Sequence, residues 1–140
     1  MSEEPRISVG GGVRLTRHEF MQKIEEAVEQ GRCNATRLCN FLNWNIFTLR
    51  NFIIHHNMPP ISYYVRIVRT RMLISMAAKK YALKDAASVV SLHPDNASKL
   101  LASETGFNYA ETRKAEEPKR YDPDPFDGVC WPVNRGGTHF

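Results

Sequence analysis

From Thr16 to Lys114 the chain has two glycines, Gly31 and Gly106, and three prolines, Pro59, Pro60 and Pro94, while apolar side chains recur at steps of three and four. A stretch so poor in helix breakers and so regular in that period folds as successive amphipathic helices, since strands need alternation at a period of two. The expected fold class is therefore all-α. With 140 residues, 42% of them hydrophobic and 24% charged, the chain is one ordinary domain able to bury a core. The opening MSEEPRISVGGG lacks the basic start and apolar stretch of a signal peptide. No apolar run reaches the ~18 residues of a membrane span, so the expectation is a soluble cytoplasmic protein without membrane contact.

Start and stop signals divide the helical stretch. Thr16 with Glu19 forms a capping-box pattern ahead of Phe20, Ile24, Ala27 and Val28, and Gly31 stops that helix; its other face, Glu25, Glu26 and Glu29, is acidic and unsuited to DNA. Asn34 can cap a short helix carrying Leu38, Phe41 and Leu42. Asn43-Trp44-Asn45 then supplies a turn into a helix whose Ile46, Leu49, Phe52 and Ile53 point inward. Pro59-Pro60 opens the longest helix, with Ile61, Tyr64, Val65, Val68, Met72 and Met76, to about Lys80. A second short helix carries Leu83, Ala86, Ala87 and Val90, and a turn at 91–94 leads to a helix with Ala97, Leu100 and Leu101, started by Asp95 and Asn96 and ended by Gly106. Two short helices across a tight turn, twice, is the pattern of paired helix-turn-helix units joined by a long helix.

The flanks differ in composition. Residues 1–15, with Gly10-Gly11-Gly12, are expected to be a flexible arm before a domain at 16–114. The segment 115–140 holds Pro118, Pro123, Pro125 and Pro132, so it should be an extended tail. Tyr121, Phe126, Trp131 and Phe140 are large residues to leave in water beside Asp122, Asp124 and Asp127. The tail is therefore expected to pack along the helical body or to hold a partner, with Tyr121, Phe126 and Trp131 as the partner-binding residues. The chain is +4 overall, and its excess of basic residues lies within the helical domain while the tail is acidic, a polarity that points to a polyanion partner.

In YYVRIVRTRMLISMAA, Tyr64 is followed five positions later by Arg69 and then by Met76 and Ala77; LKDAA gives Leu83, Ala86 and Ala87; Ser91-Leu92 stands at the next turn, and Ala97, Leu101, Gly106 and Thr112-Arg113 close the pattern. On these residues the stretch 17–114 resembles the DNA-binding domain of the AraC/XylS transcription regulators, most of all the small stand-alone members. Departures are Ser91 where the family has Gly, Ala97 and Leu101 where it has Phe, no Pro before the closing motif, and a second unit one residue short at its turn. The resemblance implies a transcription regulator, an activator of the bacterial cytoplasm or of a phage or plasmid, that inserts two recognition helices into the major groove of double-stranded DNA.

Carried over by position, the base-reading residues are Asn45, Phe47, Thr48, Arg50 and Asn51 in the first unit and Asn96 and Lys99, beside Asp95, in the second. Arg50 suits guanine O6 and N7, and Asn51 or Asn96 an adenine edge, whereas Asp95 fits a cap better than a phosphate. Phosphate contacts would come from Arg37, Arg66, Arg69 and Lys80, with Arg71, Lys79 and Lys84 nearby. A monomer is the favoured state.

Other chemistries find little purchase. Cys33, Cys39, Cys130, His55-His56, His93 and His139 lack the tight spacing of a structural zinc site, and the odd cysteine count suits a reducing compartment. There is no GxSxG, HExxH or Walker loop, so no enzyme, cofactor or metal is expected. Trp44, Phe47 and Phe52 could stack on bases, but at helical spacing are expected in the core. The alternative function is a helical adaptor that keeps the fold but binds RNA polymerase or another protein.

Overall fold

The computed structural model describes residues 6–10, 13–31 and 34–131. It is mostly helical: α1 (Arg17–Glu29), α2 (Ala35–Leu42), α3 (Ile46–His55), α4 (Ile61–Ala78), α5 (Leu83–Val89), α6 (Pro94–Thr105) and α7 (Tyr109–Lys114), preceded by strands β1 (Ile7–Gly10) and β2 (Val13–Leu15). Cys33, His139 and Phe140 lie outside the described residues. Among the described residues no helix is long and apolar enough to cross a membrane.

Each helix begins where its local chemistry allows. Thr16 and Glu19 form the full capping box, the Thr16 side chain accepting from the Glu19 amide while the Glu19 carboxylate accepts from the Thr16 amide. Asn34 Oδ1 accepts from Arg37 N at 2.8 Å, and Asn45 Oδ1 from Phe47 N at 2.7 Å. At the other end of α6, Gly106 takes φ 84°, a left-handed cap that costs a glycine no Cβ clash. The helix α6 starts one step earlier than expected: its cap is His93, whose Nδ1 accepts from Asp95 N, with Pro94 in the first turn. Asp95 and Asn96 are thus already inside the helix, because proline's fixed φ and missing N–H suit the first helical position. The helix α7, not foreseen as a separate element, has a second capping box from Asn108 and Glu111.

The two helix pairs share one turn. In the first, Asn43 is left-handed at φ 60°, Trp44 follows, Asn45 caps, and α3 starts at Ile46. In the second, Ser91 is left-handed at φ 58°, Leu92 follows, His93 caps, and α6 starts at Pro94. No residue is inserted or lost between the two, and the buried positions Leu38, Cys39 and Leu49 recur as Ala86, Ala87 and Ala97. The positive φ at Ser91 is the conformation that favours glycine, which explains physically why a glycine suits that turn.

Between the pairs runs α4, buried along Ile61, Tyr64, Val65, Val68, Leu73 and Met76 and packed against α1, α5, α6 and α7. Arg69, read from sequence as a phosphate contact, turns its Nε to Val90 O at 3.0 Å and so ties α4 to the end of α5. Lys80, likewise read as a phosphate contact, donates its ammonium to the carbonyls of Arg113 and Ala115 at the end of α7. Free carbonyls at a helix C-terminus attract a cation more strongly than solvent does, so both residues act first as internal braces.

The N-terminal arm is a correction. Strands β1 and β2 pair antiparallel, Ile7 with Leu15 and Ser8 with Arg14, with an irregularity between Ser8 and Gly10. Leu15 is buried, β1 lies along α3, and Arg6 pairs with Glu19 at 2.8 Å. Alternating Ile7, Val9, Val13 and Leu15 around glycines is itself a hairpin signal, and the flexible-arm expectation weighed the glycines alone.

The described part of the tail, up to Trp131, has neither helix nor strand after α7 and turns at 125–128, and it crosses the body from the second helix pair to the first. Tyr121 Oη donates to Glu104 of α6 at 2.8 Å, Arg71 reaches Pro123 O at 3.4 Å, and Asn57 Nδ2 donates to Gly128 O at 3.0 Å. His56 O accepts from Cys130 N at 2.8 Å. Phe126 and Trp131 join an aromatic cluster with Phe20, Phe52 and Tyr64, ring centroids 5.2–6.2 Å apart. Tyr121, Phe126 and Trp131 therefore pack on the chain's own body, the first of the two outcomes expected for the tail.

Burial, helped by the hydrogen bond to Glu104, pushes the Tyr121 pKa up to about 12 from the ordinary 10. A raised folded pKa means stability that is complete below pH 10 and lost as pH rises through 12. Thermal unfolding from pH 9 upward should show this loss, and Tyr121→Phe should reduce it, the remainder belonging to Tyr64 and Tyr109, whose pKa values burial also raises; superimposed profiles would mean that Tyr121 is not docked.

Candidate nucleic-acid interface

The outward face of α3 carries Phe47, Arg50, Asn51 and Ile54 at steps of three and four, all exposed, while Leu49 and Phe52 hold the opposite face in the core. Thr48 is half-buried, and Asn45 spends its Oδ1 on the helix start. Phe52 is core and Trp44 half-buried against it, with ring centroids 6.2 Å apart, but Phe47 is 65% exposed, contrary to the expectation of a core position. Leu49 and Phe52 fix the inward direction of the helix, which leaves Phe47 on its outer face. Among the described residues Arg50 has no hydrogen-bond or ion-pair partner, so its guanidinium is available.

The outward face of α6 carries Asp95, Asn96, Lys99 and Ser103. Asp95 lies 3.8 Å from His93 Nδ1, both side chains largely exposed. A carboxylate in the first turn of a helix is favoured by the helix dipole, and this accounts for Asp95 without any ligand.

One residue the sequence reading missed brings these faces together. Ser62, exposed in the first turn of α4, borders a cleft of about 580 Å³ that also contains Arg50 and a second, of about 230 Å³, that contains Asn96, Arg66 and Arg69. Arg50 and Asn96 therefore flank the same edge of α4, and neither cleft is lined by an acidic side chain. The signal for Ser62 was its place just after Pro60, at the start of a helix between the two units. Arg66 is exposed and lies over the Tyr63 ring, 5.7 Å from its centroid, which holds its charge at this edge.

Other basic residues are elsewhere. Arg37 is exposed on α2 and reaches Gly31 O at 3.3 Å. Arg71 and Lys79 border a different cleft, shared with Glu25 and Glu29 of α1. The acid-free edge is thus separated from a mixed-charge one. Among the described residues no group of three His, Cys, Asp or Glu is placed to hold a metal ion. Burial raises the Cys39 thiol pKa, the opposite of the shift an activated thiol needs.

Comparison with known proteins gives no match for this chain among family models, curated proteins or solved structures.

Proposed function

We propose that this chain is a sequence-specific, double-stranded DNA-binding transcription regulator of AraC/XylS type, with α3 and α6 as major-groove recognition helices. The observation that carries the reading is the recurrence of one turn geometry in two helix pairs whose exposed second helices flank a common, acid-free edge of α4. A helix braced by a partner across a tight turn fits a major groove about 12 Å wide. In this reading Arg50, Asn51, Asn96 and Lys99 read bases, and Arg66 supplies phosphate affinity.

Binding to a duplex selected from random sequence and to a scrambled duplex, each titrated across salt, tests the proposal. The selected duplex should bind more tightly at every salt concentration, and the logarithm of affinity should fall linearly with that of salt. Arg66→Ala should weaken both duplexes alike and reduce the slope by about 0.9, the value for one lost phosphate contact. An unchanged slope would place Arg66 away from DNA.

The adaptor reading has one observation in its favour. Phe47 and Ile54 are 65% and 77% exposed on the α3 face, an apolar component suited to a protein partner. Absence of duplex binding at physiological salt would favour it over DNA recognition.

A further inference from the structure

The cleft beside α3 has the make-up of a small-molecule site. Its volume, about 580 Å³, is within the range of roughly 300–1,000 Å³ that ligand pockets occupy. Ile46, Ile53 and Ile54 of α3, Met58, and Ile61 of α4 give it apolar walls. At its rim stands Arg50, unpaired among the described residues. Asn34, Ala35 and Thr36, where α2 begins, also line it. Asn34 already satisfies the Arg37 amide, while the first-turn amides of Ala35 and Thr36 have no acceptor within their own helix.

An apolar trough with cationic and amide donors at its mouth, and no carboxylate in its lining, selects one class of ligand by charge. We propose that this cleft binds an amphipathic organic carboxylate, such as a medium-chain fatty acid, with the hydrocarbon along the isoleucines and the carboxylate on Arg50. Guanidinium and carboxylate match in a two-point hydrogen-bonded fork, which gives the head group its specificity. Arg50 is also a proposed base reader, so an occupied cleft withdraws that guanidinium from DNA. This consequence rests on the DNA reading; the ligand class does not.

The test uses the full chain without DNA and three ten-carbon probes below their micelle concentrations: decanoate, decanol and decyltrimethylammonium. Titration is followed through the methyl resonances of Met58 and the cleft isoleucines. Decanoate should bind at least about tenfold more tightly than either other probe, as expected for a charge-assisted hydrogen bond, and shift these methyls first. Arg50→Ala should abolish the preference among head groups. Ile54→Glu, exposed and one turn from Arg50, adds a carboxylate to the cleft lining and should weaken decanoate relative to decyltrimethylammonium by like-charge repulsion. Circular dichroism checks that both variants keep their helix content. Equal affinity for the three probes, a preference that survives Arg50→Ala, or shifts confined to methyls outside the cleft would each overturn the proposal.

Discussion

Trp131→Ala should lower unfolding stability by about 3–5 kcal/mol, the range for removing a buried aromatic side chain and leaving a cavity. Trp131 is 5% exposed and its ring lies 5.2–6.0 Å from those of Phe126, Phe20 and Phe52. The neighbours come from α1, α3 and the tail itself, so the cavity cannot close by a shift of one element. Single-domain stabilities run from about 5 to 15 kcal/mol, so the loss is a large fraction of the total. Urea denaturation followed by circular dichroism measures it. A change under about 1 kcal/mol would mean that the tail is a loosely held appendage, available for a partner after all.

Arg50→Ala should reduce affinity for a selected duplex by about 1–3 kcal/mol and relax the base preference at one position, because a bidentate contact to guanine supplies both. The substitution removes no hydrogen bond or ion pair among the described residues, so stability should stay within about 0.5 kcal/mol of the parent. Quantitative binding to the selected site and to each single-base variant of it reads both effects. Equal loss on all sequences would reduce Arg50 to a phosphate contact.

The helices were legible because their signals are local. Thr16 and Asn34 cap where their side chains suggested, and Gly106 ends α6. What sequence missed depends on contacts between distant residues. Nothing near Arg69 indicates that its guanidinium meets Val90 O, and nothing near Lys80 reveals the end of α7. The tail aromatics were recognised as too apolar for water, but the choice between core and partner needed the positions of Phe20, Phe52 and Tyr64. Within the candidate site, the family resemblance pointed to Arg50, Asn51, Asn96 and Lys99, and all four are exposed. Ser62, the residue common to both clefts, carries no chemical signature of its own.

Selection from a random duplex library followed by footprinting of the enriched sequence tests the central claim most directly. Two recognition helices on one edge predict two blocks of base preference about 10 base pairs apart, in successive major grooves on one side of the duplex. Arg50→Ala with Asn51→Ala should erase preference in one block, and Asn96→Ala with Lys99→Ala in the other. No enrichment, or a single block abolished by either set of substitutions, would contradict the account.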